Sequence, residues 1–102
     1  MKKVYISVPI SGHDLDDVRK RIQETSELLK AKGYVPVSPL EVQTNLDAPY
    51  SELMGNDIKA LLECDAIILL DGWENSIVCR LEKYVAGLYY KPVFINDFIY
   101  EI

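Results

Sequence analysis

Residues 64–70, CDAIILL, form the most hydrophobic stretch of the chain, and Asp71 and Gly72 follow it directly. A short apolar run that ends in a turn is typical of a strand covered on both faces. Strands covered on both faces belong to parallel sheets, whose crossover helices lie above and below them. This stretch therefore predicts the central strand of a parallel sheet with helices on its two sides.

The segments before this strand show strand and helix patterns in turn. Residues 4–8 are apolar and β-branched and predict a buried first strand. Residues 14–32 predict a helix that Gly33 ends, because apolar side chains recur at helical spacing at Leu15, Val18, Ile22, Leu28 and Leu29. Residues 34–37 predict a strand at the sheet edge, since its internal proline cannot donate to a neighbouring strand.

The rest of the chain continues the pattern. Prolines between residues 36 and 49 bracket a connection that is predicted to be a loop. Residues 50–62 predict a helix, and Ser51 is placed to cap its start. Residues 76–88 predict a further helix, and residues 93–95 predict a fourth strand.

Strands and helices thus alternate along the chain. The alternation predicts an α/β fold of three layers, with an open, mostly parallel sheet of four to five strands joined by right-handed crossovers. Residues 98–102 are either the fifth strand or a tail that contacts another subunit. No repeat or linker interrupts the pattern, so we expect residues 1–102 to form a single domain.

Composition narrows the class of protein. The chain has 102 residues, a hydrophobic fraction of 49% and a charged fraction of 26%, which suit one small globular domain that gains buried area by pairing with a second copy. The net charge of -5 argues against bulk nucleic acid as a partner, although a local pocket can still bind a small anion.

Cysteine usage and hydropathy bear on location. Cys64 and Cys79 lack metal-ligand spacing and are expected to be buried thiols in a reducing compartment. No segment reaches the roughly 20 apolar residues of a membrane span. We therefore expect a cytoplasmic homo-oligomer that does not contact membranes.

The expected ligand site lies at one edge of the sheet. In open parallel sheets, ligands bind beyond the carboxyl ends of the strands, where the strand order reverses. The strands at 4–8 and 64–70 are the expected neighbours there, so the loop at 7–13 and the turn at 71–76 should face each other. Ser76 is placed to cap the next helix, whose exposed backbone donors favour an anionic or hydroxyl-rich ligand.

Two acidic residues are candidates for this site. Glu82 lies nearly two helical turns beyond Ser76 and on roughly the same side; the alternative is that it pairs with Arg80, Lys83 or solvent. Asp57 lies early in its helix, where the alternative role of a carboxylate is that of a partner for the helix dipole.

Other polar residues near this edge leave more than one interpretation open. Tyr5 points either into the core or into the cleft. His13 either contacts a ligand or is simply exposed, and it has no His or Cys cluster around it that predicts a metal site. Ser7, Ser11 and Gly12 lie in a loop without the glycine spacing and lysine of a phosphate loop, yet its serines and amides can hold hydroxyl groups.

Three blocks of sequence together carry a family resemblance. They are VYIS with PISG at 4–12, DIKALLECDAI at 57–67, and GWENS with RLE at 72–82. In this order they resemble the nucleoside 2-deoxyribosyltransferase-like superfamily, in particular its small bacterial and phage branch of unknown function, DUF4406. The resemblance covers nearly the whole chain and implies a flavodoxin-like fold and an oligomer with active sites near subunit contacts.

The resemblance also implies roles for single residues. In catalytic members a glutamate attacks the anomeric carbon of a deoxynucleoside or its monophosphate, and Glu82 occupies its place. Asp57 matches the aspartate that assists departure of the base, and Asp71 lies where some relatives have another base-contacting acid. Tyr5 matches a first-strand tyrosine near the nucleophile, and Ser76 a serine that contacts sugar or phosphate. The other substrate-binding residues implied by the matching blocks are Ser7, Ser11, Gly12, Gly72, Trp73 and Asn75.

The function that the resemblance implies is cleavage or transfer of a nucleoside or nucleotide N-glycosidic bond through a covalent glycosyl-glutamate, with no metal or redox cofactor. One alternative is an inactive protein of the same fold that binds a nucleotide-derived ligand, and another is an oligomeric interaction protein with a vestigial cleft. Relatives usually have Gly at the position of Val8, and Gly and Ala at those of Val78 and Cys79. A valine side chain occupies space that glycine leaves free for a ligand.

Overall fold

Among the described residues, four parallel strands form the sheet, and the first and third strands along the chain lie at its centre. In the computed structural model, which describes residues 2–43, 45 and 47–95, these strands are β1 (Lys3–Ser7), β2 (Val35–Val37), β3 (Ala66–Leu69) and β4 (Val93–Ile95). β2, the strand with the internal proline, lies at the edge as predicted. The α/β class with a parallel sheet is therefore confirmed, and the prediction for residues 98–102 lies outside the described residues.

Helices connect the strands on both faces of the sheet. They are α1 (Leu15–Ala31), α2 (Pro39–Val42), α3 (Tyr50–Leu62) and α4 (Ile77–Leu88). Gly33 takes a φ of +86° just beyond the end of α1, which explains why glycine ends that helix. In the described part of the chain, none of these helices has the length and hydrophobicity of a membrane span.

Two apolar clusters, one on each face of the sheet, produce the three layers. α1 packs on the face that includes Val4, Ile6 and Ile68. α3 and α4 pack on the opposite face, which includes Tyr5 and Ile67. Every residue of β3 is buried, and each fully buried Ile or Leu side chain contributes about 1.5–3 kcal/mol to folding. This two-sided burial is the physical reason for the long apolar run in the sequence.

The connection after β2 differs from the predicted loop. Pro39–Val42 form a short helix capped by Ser38, whose hydroxyl accepts from the Leu40 amide at 3.2 Å. Proline suits the first helical position because its missing N–H would have no partner there. Ser51 does not cap α3; Pro49 holds the cap position without a side-chain bond. Prolines that suggested a loop therefore begin two helices.

Candidate active site

The carboxyl ends of β1 and β3 bring the two predicted loops together. The strands are direct neighbours, with Ser7 paired to Leu69, and the Leu70 amide donates to the Ser7 carbonyl at 3.0 Å. Gly72 has a φ of +93°, and a Cβ at this position would lie 3.4 Å from Cγ of Pro9. The loop after β1 thus faces the turn after β3, as the strand order predicts.

Glu82 lies at the centre of this region. Its side chain points from α4 towards β1 and is only 2% exposed. The Tyr5 hydroxyl donates to Oε2 at 2.6 Å, and the Ser7 hydroxyl donates to Oε1 at 2.8 Å. Tyr5 and Ser7 are two residues apart on one strand, so their side chains share a face of the sheet. The alternative of a surface pair with Arg80 or Lys83 is therefore wrong.

Burial sets the protonation behaviour of this cluster. Removal from water raises the pKa of Glu82 to about 7, although hydrogen bonds from Tyr5 and Ser7 oppose the rise; the charge of Asp57 adds to it. Burial, followed by the charge of Glu82, raises the pKa of Tyr5 far above its ordinary value. Tyr5 therefore stays protonated and remains a hydrogen-bond donor to the glutamate.

Asp57 joins the cluster from α3. It is 8% exposed, and burial raises its pKa, while the hydrogen bond from Gln43 and the nearby Tyr5 hydroxyl lower it. The Gln43 Nε2 atom donates to Oδ1 at 2.7 Å. Because α3 begins at Tyr50, Asp57 lies beyond the first turn, and the alternative role of dipole partner is wrong. Tyr5, whose hydroxyl donates to Glu82, is thus close enough to Asp57 to influence its pKa as well.

Gln43 is a site residue that no sequence pattern indicates. It follows α2 in the segment that was predicted to be a loop, 14 residues before Asp57. Its amide also donates to the Leu53 carbonyl at 2.8 Å. No spacing rule joins a residue after one helix to a carboxylate inside the next, so only the packing of α2 against α3 shows the contact.

Two adjoining cavities open beside this cluster. The first, of about 260 Å³, is mainly apolar and is lined by Val8, Ile10, Ser11, Pro39, Gln43, Tyr50, Leu53, Met54, Asp57, Ser76 and Val78. The second, of about 420 Å³, is lined by Pro9, Ser11, His13, Tyr50, Gly72, Asn75, Ser76, Ile77 and Val78. Ser76 lines both, and its hydroxyl caps α4 by accepting from the Cys79 amide at 3.2 Å. Five predicted residues, Ser11, Asp57, Gly72, Asn75 and Ser76, therefore reach a cavity.

Other predicted residues lie elsewhere. Glu82, Tyr5 and Ser7 are buried behind the cavities and do not line them. Asp71 is exposed, and its backbone carbonyl accepts from Arg21 at 2.7 Å. The Trp73 ring packs on the α3 and α4 side of the core, with the Lys83 ammonium 5.6 Å from its centroid.

Gly12 also lies away from the cavities. Gly12 is exposed, takes a φ of +80°, and lines neither cavity. Within the described ranges, no three His, Cys, Asp or Glu residues cluster in a way that would hold a metal ion.

Comparison with solved structures defines the class of fold. A 2-deoxyribosyltransferase from the psychrotolerant bacterium Bacillus psychrosaccharolyticus superposes with a TM-score of 0.72 and 18% identity, over 91% of this chain and 70% of that chain. A 2-deoxyribosyltransferase from Leishmania mexicana gives a TM-score of 0.74 and 23% identity, over 93% of this chain and 63% of that chain. The fold is therefore nucleoside 2-deoxyribosyltransferase-like and, as predicted, flavodoxin-like.

Comparison with protein families shows the family to which the chain belongs. Residues 2–95 match the family described as a domain of unknown function, DUF4406, and the chain belongs to that family. A search of curated proteins finds no match to this sequence. The likeness to the two transferases establishes the fold alone.

Proposed function

We propose that this chain cleaves or transfers the N-glycosidic bond of a nucleoside or nucleotide, with Glu82 as the nucleophile and Asp57 as the acid. The observation that supports this most directly is the buried Glu82 carboxylate, held by the hydroxyl groups of Tyr5 and Ser7 beside a cavity that Asp57 lines. The fold shared with two 2-deoxyribosyltransferases supports the same class of reaction.

The reaction proceeds by two displacements at C1′ of the sugar. In the first, an oxygen of Glu82 bonds to C1′ while the C1′–N bond breaks, and Asp57 donates its proton to the departing base. In the second, a nitrogen of another base or the oxygen of water bonds to C1′ and releases Glu82. Asp57 takes back the proton that this nucleophile loses. Two inversions retain the configuration at C1′.

The environments of the two carboxyl groups suit these two roles. Glu82 receives two hydroxyl donors, which stabilise its ionised form and hold it in place. Burial raises the pKa of Asp57 and so favours the protonated form that an acid requires. Glu82 has a pKa of about 7, so the nucleophile becomes available as the pH rises through neutrality.

We also propose that the chain acts as a homo-oligomer in the cytoplasm. The outward face of α4 exposes Ile77, Leu81, Tyr84 and Leu88 at helical spacing. An apolar stripe of this kind is surface that a second copy can cover.

Cys64 and Cys79 are buried free thiols, as expected in a reducing compartment.

The proposed reaction is tested by incubating the protein with a panel of 2-deoxynucleosides and their 5′-monophosphates. We expect release of free base, detected by chromatography, and a transient mass increase of one deoxyribosyl group on the peptide that carries Glu82. Added acceptor base separates transfer from hydrolysis, because only transfer yields a new nucleoside. Absence of base release from every member of the panel would contradict the proposal.

A second candidate function is binding of a nucleotide-derived ligand without turnover. It is favoured by one observation: Val8 and Val78 line the first cavity, whereas the Glu82 carboxylate behind them does not. Under this alternative the panel releases no base, yet a ligand at 100 times its dissociation constant stabilises the fold by about 2.7 kcal/mol. A thermal shift without base release is the result that supports binding.

The substitution Val78→Gly also tests whether this side chain blocks access to Glu82, as ligand binding without turnover would suggest. Removing this side chain from the cavity wall is expected to widen access to Glu82 and raise kcat/KM for base release by about tenfold, the scale of one or two methylene contacts. The cost to α4 is about 0.3–0.5 kcal/mol of helix propensity, since valine is itself a weaker helix former than alanine.

The matched control is Val85→Gly, on the same helix but partly buried against the core cluster rather than in the cavity wall. It carries a similar helix penalty without opening the cavity, so its kcat/KM should not rise. An equal or lower rate for Val78→Gly would show that this valine does not limit access.

A further inference from the structure

The Gln43 side chain has all of its amide hydrogens engaged by α3. Its Nε2 atom donates to the Leu53 carbonyl at 2.8 Å and to Oδ1 of Asp57 at 2.7 Å. Its Oε1 atom accepts from Nδ2 of Asn56 at 3.3 Å. The Leu53 carbonyl can only accept a hydrogen bond, so the amide nitrogen must be the atom that faces it. The orientation of the Gln43 amide is therefore determined.

This orientation determines which oxygen of Asp57 carries a proton. An amide N–H donates to Oδ1, so Oδ1 acts as an acceptor and the proton of the neutral carboxyl group lies on Oδ2. We infer that Gln43 is a positioning residue that keeps the acidic proton of Asp57 on Oδ2 for delivery to the leaving base. The inference deepens the proposed function and rests on it.

The same bond also favours proton release. After Asp57 gives up its proton, the Gln43 N–H donates to a carboxylate, and charge-assisted bonds of this kind are about twice as strong as neutral ones. The other titratable groups at Asp57 are Tyr5 from β1 and Glu82 from α4. Tyr5 stays protonated and also lowers the pKa of Asp57, but less than Gln43 does, so Gln43 is the main neutral donor that compensates the negative charge which develops on Asp57.

The first test measures Asp57 directly, without substrate. Carbon-13 NMR titration of the Asp57 carboxyl is compared between the wild type and Gln43→Met, which keeps the side-chain length but removes the donor. We expect the pKa of Asp57 to rise, because the bond from Gln43 lowers it. Asn56→Ala removes only the contact to Oε1 and should leave this pKa unchanged. An unchanged or lower pKa in Gln43→Met would overturn the inference.

The second test uses the leaving group. For a 2-deoxynucleoside, Gln43→Met should lower kcat by about 100-fold, the lower range for loss of acid catalysis. For 4-nitrophenyl 2-deoxyriboside, whose leaving group departs without a proton, kcat should stay within about threefold of the wild type. A merely structural role would reduce both rates equally and would refute the positioning role.

Two further variants separate loss of the Gln43 hydrogen bond from a general loss of folding. Gln43→Asn also withdraws the donor, by one methylene, and should give the same direction of change if Gln43→Met does not fold. Gln23→Met, on the exposed side of α1, should match the wild type in both tests. If the wild type releases neither base nor nitrophenolate, the proposed function fails, whereas the titration still decides whether Gln43 controls the proton of Asp57.

Discussion

Replacing Glu82 with Gln is expected to lower kcat for base release by at least about a thousandfold, since loss of a nucleophile removes the covalent route altogether. Glutamine keeps the size of the side chain and one oxygen that accepts from Tyr5 or Ser7, so the fold and the cavity should persist. The measurement is free base released per enzyme per minute, together with the deoxyribosyl adduct in the mass spectrum of the protein.

Glu74→Gln is the matched control for this experiment. Glu74 is exposed in the turn before α4 and lies close in sequence to the same helix, but it lines neither cavity. Its kcat should equal that of the wild type. Base release by Glu82→Gln at the wild-type rate would exclude Glu82 as the nucleophile, even if the protein proved to be an enzyme of this class.

The same substitution should make the protein more stable at alkaline pH. The pKa of Glu82 in the folded chain is about 7, above its ordinary value of 4.5. Between these values the folded state binds more protons than the unfolded state, so the free energy of unfolding falls as the pH rises from 4.5 to about 7. At about 1.4 kcal/mol per pH unit, the full loss is about 3 kcal/mol and persists above that range.

Urea denaturation of the wild type and Glu82→Gln at several pH values measures this effect. The stability of the variant relative to the wild type should increase by about 3 kcal/mol from pH 4.5 to pH 8, because glutamine does not ionise. Asp57, whose pKa is also raised, is present in both proteins, so the difference between their curves isolates Glu82. Parallel plots of unfolding free energy against pH for the two proteins would show that burial does not raise the pKa of Glu82. Glu74→Gln, the control, should follow the wild type.

These two expectations describe one trade-off. A carboxylate that is buried for catalysis costs folding energy at the pH where it is ionised, and hydrogen bonds from Tyr5 and Ser7 offset only part of that cost. Active sites commonly contain such strained groups. A gain in stability with a loss of activity in a single variant would therefore support a functional role for Glu82 more strongly than either result alone.

The parts of the site that could be predicted depend on local patterns. Ser76 caps α4, as expected from a serine that precedes an apolar helical period. The facing loops follow from the rule that parallel strands present their carboxyl ends at one edge. The inward direction of Glu82 was only one of two alternatives, because helical spacing alone does not say which face of α4 is covered.

The parts that could not be predicted are contacts between distant segments. The bond from Tyr5 to Glu82 joins residues 77 positions apart, and the bond from Gln43 to Asp57 crosses from one helix end to the next helix. The short helix α2 was missed because prolines suit both a loop and a first helical turn. Each of these features depends on packing between elements rather than on the residues within one.

The stretch at residues 64–70 illustrates what the sequence alone determined. Its continuous apolar run buries side chains on both faces of the strand, and two layers of helices on a parallel sheet provide that cover. The run therefore predicts a central parallel strand. The sequence also placed Ser76 and the two loops at the correct edge. Only the tertiary structure decided that Glu82 is buried, that the Tyr5 hydroxyl donates to it, and that Val8 and Val78 line the cavity. Burial and the pKa changes it causes arise from surfaces that meet only after the chain has folded.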